Sequence, residues 1–139
     1  MNRTNFKNAL LGVAIALAAT YVFSIILLMV LLPGPRWFRG IFFPLPLVGL
    51  IYTSWLVIPL GAALGMLIPR IAAGKSRWAA ALHGAGYGAV GGLAALMCFV
   101  SVYSLGPAPA LLWVGVAAYS AVWVGAYAYI RAKAPVLHR

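Results

Sequence analysis

Acidic side chains are missing from this sequence altogether. None of the 139 residues is Asp or Glu, and the ten charged side chains, all Lys or Arg, give a formal net charge of +10. A chain without carboxylate side chains cannot by itself hydrolyse glycosides with a carboxylate pair, build a Ser-His-Asp triad or hold Ca²⁺ in a carboxylate site. It also lacks the membrane-embedded Asp or Glu that often couples transport to protons. We therefore expect a protein that is not an enzyme.

Charged residues and cysteine are scarce as well. Charged residues make up 7% of the chain, against about 25% in a typical soluble domain. The single cysteine, Cys98, excludes an intrachain disulfide and a Cys-x-x-Cys motif, and its apolar surroundings predict a buried, inert thiol. The composition thus excludes a soluble globular domain, a disulfide scaffold and a disordered chain.

Long apolar runs take up most of the chain, which is 65% hydrophobic and has a mean hydropathy of +1.05. About 20 apolar residues cross a bilayer as a helix, and four runs reach that length, at about 9–32, 41–68, 79–105 and 110–130. Their continuous hydrophobicity disfavours strands, and the short connections with Pro and Gly favour antiparallel neighbours. The sequence predicts an all-α integral membrane protein, with residues 1–139 as one membrane domain: a four-transmembrane-helix bundle of two antiparallel hairpins.

The distribution of Lys and Arg predicts the orientation of these spans. With four spans, both termini and the connection between the second and third runs lie on one side. That side carries eight cations, Arg3, Lys7, Arg70, Lys75, Arg77, Arg131, Lys133 and Arg139. The other side carries two, Arg36 and Arg39. Because cytoplasmic segments are enriched in Lys and Arg, we expect both termini to be cytoplasmic, in the inner membrane of a bacterium.

Small residues recur every four positions in all four runs. The third run contains Gly84, Gly88 and Gly92, and the second contains Gly61 and Gly65. Glycines at this spacing clear one helix face and let another helix approach closely. Weaker stripes are Gly12, Ala16, Thr20 and Ser24 in the first run, and Ala117, Ala121 and Gly125 in the fourth. These faces either pack the helices of this chain together or meet a partner subunit or a second copy.

Pro59 lies in the middle of the second run. A proline inside a helix removes one hydrogen bond and bends the helix, so we expect a kink. The hydroxyls of Thr53 and Ser54 lie about one turn earlier and are candidates to bind the carbonyls that the proline frees. The kink either fits a neighbouring helix or serves as a hinge.

His83 is the only histidine inside an apolar run. An imidazole can bind the iron of a haem or the magnesium of a chlorin through one ring nitrogen. The alternative is a structural hydrogen bond. A haem held by two histidines would need a second chain, and the sequence specifies no particular cofactor.

The cytoplasmic ends of the spans are expected to form a cationic rim. Its residues are Arg70, Lys75, Arg77, Arg131 and Lys133. Cations at this position attract anionic lipid headgroups, and an acidic partner is the alternative. Nucleic acid is not an expected partner, because the cations are few and lie close to the membrane.

Three hypotheses of function remain open. In the first, the chain is a non-catalytic subunit or assembly factor of a larger membrane complex and packs through its glycine-rich faces. In the second, it is a small homo-oligomeric channel or transporter for an anion or a neutral solute, because no acidic ring is available to select cations. In the third, it carries a cofactor or pigment on His83.

Overall fold

The computed structural model describes residues 3–31 and 45–132. Four helices make up nearly all of this part: α1 Arg3–Leu31, α2 Leu45–Ala72, α3 Arg77–Val102 and α4 Ala110–Arg131. With a rise of 1.5 Å per residue, even 22 residues extend over about 33 Å, more than the hydrocarbon thickness of a bilayer. All four are long and apolar enough to cross a membrane. The described part of the chain is therefore all-helical, with the four candidate spans of an integral membrane protein, which confirms the class expected from the apolar runs.

The helix ends differ from the expected boundaries by a few residues. Helix α1 begins at Arg3 rather than near residue 9, because the polar residues before the apolar run continue the same helix. Helix α3 ends at Val102 rather than near residue 105, where Ser104 adopts a left-handed conformation with φ +49°. The connection between α1 and α2, with Arg36 and Arg39, lies outside the described residues, as do Lys133 and the other residues of 133–139.

Local signals fix the connection between α2 and α3. Gly74 adopts φ +72°, a conformation that side chains disfavour. Ser76 then caps α3, since its Oγ accepts a hydrogen bond of 3.3 Å from the N–H of Ala79, as serine commonly does at a helix start. Its carbonyl accepts a second bond, of 2.9 Å, from the N–H of Ala80. The predicted turn between the second and third spans is thus a capped connection of four residues.

The chain divides into two compact units, residues 1–63 and 64–139. The first unit contains α1 and the first two-thirds of α2. The second contains the last turns of α2 together with α3 and α4, and Ala72, Ala80 and Ala132 form a buried cluster within it. The assignment of the whole chain to one membrane domain stays a prediction.

Candidate functional site

The glycine face of α3 lies against α4. Gly84, Gly88 and Gly92 are buried. A Cβ atom at position 84 would lie 2.6 Å from the Cβ of Ala128, and one at position 88 would lie 2.8 Å from the Cβ of Val124. Real Cβ atoms essentially never come within 3.0 Å of another heavy atom. Only glycine therefore permits this approach of the two helices.

Ser120 is the centre of the surface that α4 presents to these glycines. Its carbonyl oxygen is the atom nearest to a Cβ at Gly88, and its Oγ is the atom nearest to a Cβ at Gly92. Gly125 makes the reverse contact, because a Cβ there would lie 3.1 Å from the carbonyl oxygen of Ala81 in α3. The two helices thus approach backbone to backbone over more than two turns.

The α4 face of this contact differs from the predicted stripe. Of Ala117, Ala121 and Gly125, only Gly125 is among the α4 residues that approach the α3 glycines. The other α4 residues that approach the glycines are Val116, Ser120, Val124 and Ala128. They also repeat every four positions, but one position before the stripe. One position rotates a helix face by about 100°. Small residues do not mark this face of α4. The glycines of α3 provide the space, so α4 does not need small side chains there.

The glycine face from Gly84 to Gly92 is therefore occupied by this chain's own α4, as in the internal-packing alternative. Gly65 of α2 is buried as well. Two glycines inside the helices are open: a Cβ at Gly86 or Gly115 would meet nothing within 4 Å. A partner subunit would have to contact other surfaces than the face of Gly84, Gly88 and Gly92.

A second close contact joins α1 and α2 within the first unit. A Cβ at Gly61 would lie 2.8 Å from the Cβ of Ala16 and 3.0 Å from the carbonyl oxygen of Gly12. Near the other end of the pair, a Cβ at Gly49 would lie 3.7 Å from the Oγ of Ser24, an ordinary contact distance. The small residues of the first run thus lie against α2. Of Gly49 and Gly61, Gly61 is the position where the two helices are closer.

Helix α2 continues without interruption through Pro59. The hydroxyl of Thr53 donates to the carbonyl of Gly49 at 2.9 Å, and that of Ser54 donates to the carbonyl of Ile51 at 2.7 Å. The expectation that these hydroxyls bind the carbonyl freed by the proline is wrong, since a short side chain bonds most easily to the preceding turn of its own helix. The kink itself stays a prediction.

His83 makes one hydrogen bond, between its Nδ1 and the carbonyl oxygen of Ala79 at 2.7 Å. A carbonyl oxygen only accepts, so Nδ1 carries the proton and donates it. The side chain is exposed, and its Nε2 has no hydrogen-bond partner in the described part of the chain. This is the arrangement in which histidine commonly binds a metal, with one ring nitrogen donating to a carbonyl and the other left as the ligand. Among residues 3–31 and 45–132, no group of three His, Cys, Asp or Glu side chains comes together.

The expectation of a buried Cys98 is wrong, because its side chain is exposed. An apolar run in a membrane helix does not distinguish a surface that faces lipid from a surface that faces protein, and this residue lies outside the glycine face.

Tyr127, in contrast to Cys98, is buried. It is 5% exposed, and its hydroxyl has no hydrogen-bond partner among the described residues. Nothing in the sequence sets it apart from the other tyrosines.

Four of the described residues of the cationic rim lie within three residues of Ala72, Ala80 or Ala132, the members of the buried cluster. Arg70 is in the last turn of α2, and Lys75 lies in the connection that follows it. Arg77 begins α3. The cluster therefore brings the cations of two helix ends to one end of the second unit. Arg131 ends α4 at the same cluster, while Lys133 is outside the described residues.

An aromatic contact that the sequence did not predict fixes Arg77. Its guanidinium carbon lies 5.7 Å from the centre of the Tyr129 ring. Trp78 packs edge-on against the same ring, with 5.4 Å between the ring centres. A cation over an aromatic face is attracted by the ring's charge distribution. Tyr129 of α4 thus contacts the first two residues of α3.

Helix α2 presents an apolar face with two aromatic residues, called here the α2 outer face. Its members are exposed and follow the three- and four-residue spacing of one helix side: Val48, Ile51, Tyr52, Trp55 and Ile58. Trp55 is 44% exposed and lies well inside the helix. Its indole N–H has no acceptor in the described part of the chain. The spacing of small residues does not reveal this face, because its members are large.

Comparisons with protein-family models, with curated proteins and with solved structures find no match for this chain. The class of protein therefore follows from the helices alone, as an integral membrane protein.

Proposed function

We propose that the chain is a non-catalytic subunit or assembly factor of a larger membrane complex, and that its α2 outer face contacts a transmembrane helix of the partner. The observation that carries this proposal is the exposed, unpaired indole of Trp55. In membrane proteins Trp and Tyr usually lie at the two ends of a span, whereas Trp55 is the eleventh of the 28 residues of α2. An indole N–H surrounded by hydrocarbon loses its hydrogen bond to water and gains none. A partner helix with a hydroxyl or carbonyl acceptor restores that bond.

The net charge of the chain favours a different protein over a second copy. In a symmetric dimer through this face, the same patch meets itself, and Trp55 would approach another Trp55. Indole offers only a donor, so neither Trp55 could accept from the other, and the hydroxyl of the exposed Tyr52 would be the acceptor that this face offers. Two copies would also bring together chains that each carry +10 and no acidic side chain. A partner with acceptors and acidic residues is complementary in both respects.

The proposed arrangement is the bundle of two antiparallel hairpins. Supporting it, contacts between α3 and α4 occur in reversed order. Gly84, near the start of α3, is close to Ala128 near the end of α4, and Gly92 is close to Val116. The contacts between α1 and α2 have the same reversed order.

For the orientation, we propose that both termini lie in the cytoplasm, in a bacterial inner membrane, on the basis of the Lys and Arg distribution. In a Cys98→Ala background, Ala73→Cys is expected to react with a membrane-impermeant maleimide only after the cells are opened. Pro107→Cys is expected to react in intact cells. Both positions are exposed connections. The reverse labelling pattern would contradict the orientation, and labelling of both positions from one side would contradict the hairpins.

The test of the assembly role is native mass spectrometry of the chain extracted gently from its source membrane. We expect a stoichiometric complex with other membrane subunits. Two variants form a matched pair, because Ile51 is 69% exposed on the α2 outer face and Val122 is 71% exposed on α4. Ile51→Trp is expected to weaken binding about tenfold, the effect of losing roughly 1.4 kcal/mol, and so to lower the assembled fraction, whereas Val122→Trp leaves that fraction unchanged.

A lone chain, a homo-oligomer or equal effects of the two variants would overturn the assembly proposal. In that event, anion or solute flux into liposomes that hold this protein alone would support the channel hypothesis instead.

A second candidate function is supported by the geometry of His83, whose Nδ1 is engaged and whose Nε2 is available. A metal that is already coordinated by a macrocycle, as in a haem or a chlorin, needs only one protein ligand of this kind. The protein purified from its source membrane should then absorb visible light. His83→Ala should remove the absorbance, and Leu82→Ala, at a neighbouring exposed residue, should retain it. A colourless wild-type protein would contradict this candidate.

A further inference from the structure

The end of the second unit at Ala72, Ala80 and Ala132 is built like a site for a phosphate group. Three cations lie within three residues of Ala72 or Ala80 along the chain: Arg70, Lys75 and Arg77. No carboxylate side chain of this chain can neutralise them, because the sequence contains no Asp or Glu. A carboxylate side chain that pairs with them therefore has to come from outside the chain.

The first turn of α3 adds backbone donors to these cations. The first N–H groups of a helix have no acceptor within the helix, and Ser76 satisfies those of Ala79 and Ala80. Those of Arg77 and Trp78 have no acceptor among the described residues. Free amides and the positive end of the helix dipole favour an anion at this position. Guanidinium groups add paired donors that match phosphate oxygens.

Apolar surface lies directly beside these donors. Trp78 and Leu82 are each 73% exposed, and they are four residues apart on α3, so they share a helix side. Trp78 is held by its contact with Tyr129. A soluble anion does not bind to apolar surface, and an acidic protein segment can bind the cations without it. A phospholipid needs both, a cationic site for its phosphate and an apolar side for its chains.

We propose that this end of the protein binds an anionic phospholipid, with the headgroup phosphate at Arg70, Lys75, Arg77 and the first amides of α3, and the acyl chains along Trp78 and Leu82. The site does not depend on which complex the chain joins, since none of its residues belongs to the α2 outer face. It also supplies a counter-charge to the cations of two helix ends and of the connection between them, which no side chain of this chain provides.

Native mass spectrometry of the purified full-length protein, exchanged into mixed micelles with equal amounts of phosphatidylglycerol and phosphatidylcholine, tests the site. We expect one retained phosphatidylglycerol, selected at least about tenfold over phosphatidylcholine. Arg70→Gln with Arg77→Gln should abolish this selectivity, because the attraction of two cations near an anionic lipid corresponds to a factor of about 30. Arg3→Gln with Lys7→Gln removes the same number of charges from α1 and should leave the selectivity within about threefold of wild type. Arg70→Lys with Arg77→Lys keeps the charge and should retain most of it.

Circular dichroism of each variant shows whether its helices remain formed, and a variant that has lost helix is replaced by Lys75→Gln alone, which lies outside the helices. Equal retention of the two lipids by the wild type, or equal loss in the two double Gln variants, would overturn the proposal. Displacement of the bound lipid by millimolar inorganic phosphate would assign the site to a soluble anion instead. Retention of an acidic protein subunit at this end, without lipid, would assign it to a protein partner.

Discussion

Gly88→Ala is expected to separate α3 from α4, whereas Gly86→Ala, two residues away, is expected to leave the pair intact. The Cβ at position 88 would meet the carbonyl oxygen of Ser120, its carbonyl carbon at 2.8 Å and the Cβ of Val124 at 2.8 Å. Two of these atoms are backbone, which cannot rotate away as a flexible side chain can. The helices must therefore move apart, and contacts at the neighbouring glycines of the face weaken as well.

The expected size of this effect follows from packing energies. Overfilling a well-packed contact costs about 1–3 kcal/mol, and Gly88→Leu should exceed that range. At Gly86 the new methyl group meets nothing within 4 Å, and alanine is the better helix former by up to about 1 kcal/mol. Gly86→Ala should thus be neutral or stabilising.

The free energy of unfolding, measured in lipid bicelles by titration with a denaturing detergent, checks this pair of variants. Equal stability of the Gly86→Ala and Gly88→Ala proteins would contradict the close approach of α3 and α4. A selective loss in the latter, accompanied by a new accessibility of Ser120→Cys to thiol reagents, would support it.

The sequence predicts the helices of this protein well because a single requirement dominates them. An apolar run of about 20 residues in a bilayer has to satisfy its own backbone hydrogen bonds, and a helix does so within one segment. The positions of the four helices follow from composition alone, and the spacing of Gly84, Gly88 and Gly92 predicts that another helix packs closely against α3. The identity of that helix does not follow, since a glycine face suits a helix of the same chain as well as one of a partner.

The parts that sequence reasoning missed share a physical cause. In a soluble protein the polar side of a helix marks the surface, but here lipid, protein interior and partner all favour apolar side chains. Cys98 was therefore expected inside and lies outside, while the α2 outer face around Trp55 went unnoticed. Likewise, the sequence does not single out Ser120 and Val124. The glycines of α3 provide the space for this contact, so it does not require small side chains on α4. The stacking of Arg77 on Tyr129 joins residues 52 positions apart, which no local spacing reveals.

Gly61→Ala is expected to be the most damaging alanine substitution in the first unit, with Gly49→Ala as its matched control. At position 61 the added Cβ would lie 2.8 Å from the Cβ of Ala16 and 3.0 Å from the carbonyl oxygen of Gly12. At position 49 the nearest atom, the Oγ of Ser24, is 3.7 Å away, so a methyl group fits without movement. We expect a loss of about 1–3 kcal/mol for the first change and, for the second, no loss or a gain of up to about 1 kcal/mol from helix propensity.

A compensating change separates this steric effect from a general loss of stability. Ala16→Gly removes the Cβ atom closest to the new methyl group, although by itself it weakens α1 by about 1 kcal/mol. If the clash is real, the double variant of Gly61→Ala and Ala16→Gly is more stable than the sum of the single changes predicts, by about 1 kcal/mol or more. The same bicelle titration measures all four proteins of this cycle. Strict additivity would show that residues 16 and 61 do not touch, and the pairing of α1 with α2 at this position would then have to be abandoned. A positive coupling energy would instead fix the register of that pair, because a Cβ at Gly61 would lie within 3.0 Å of α1 and a Cβ at Gly49 would not.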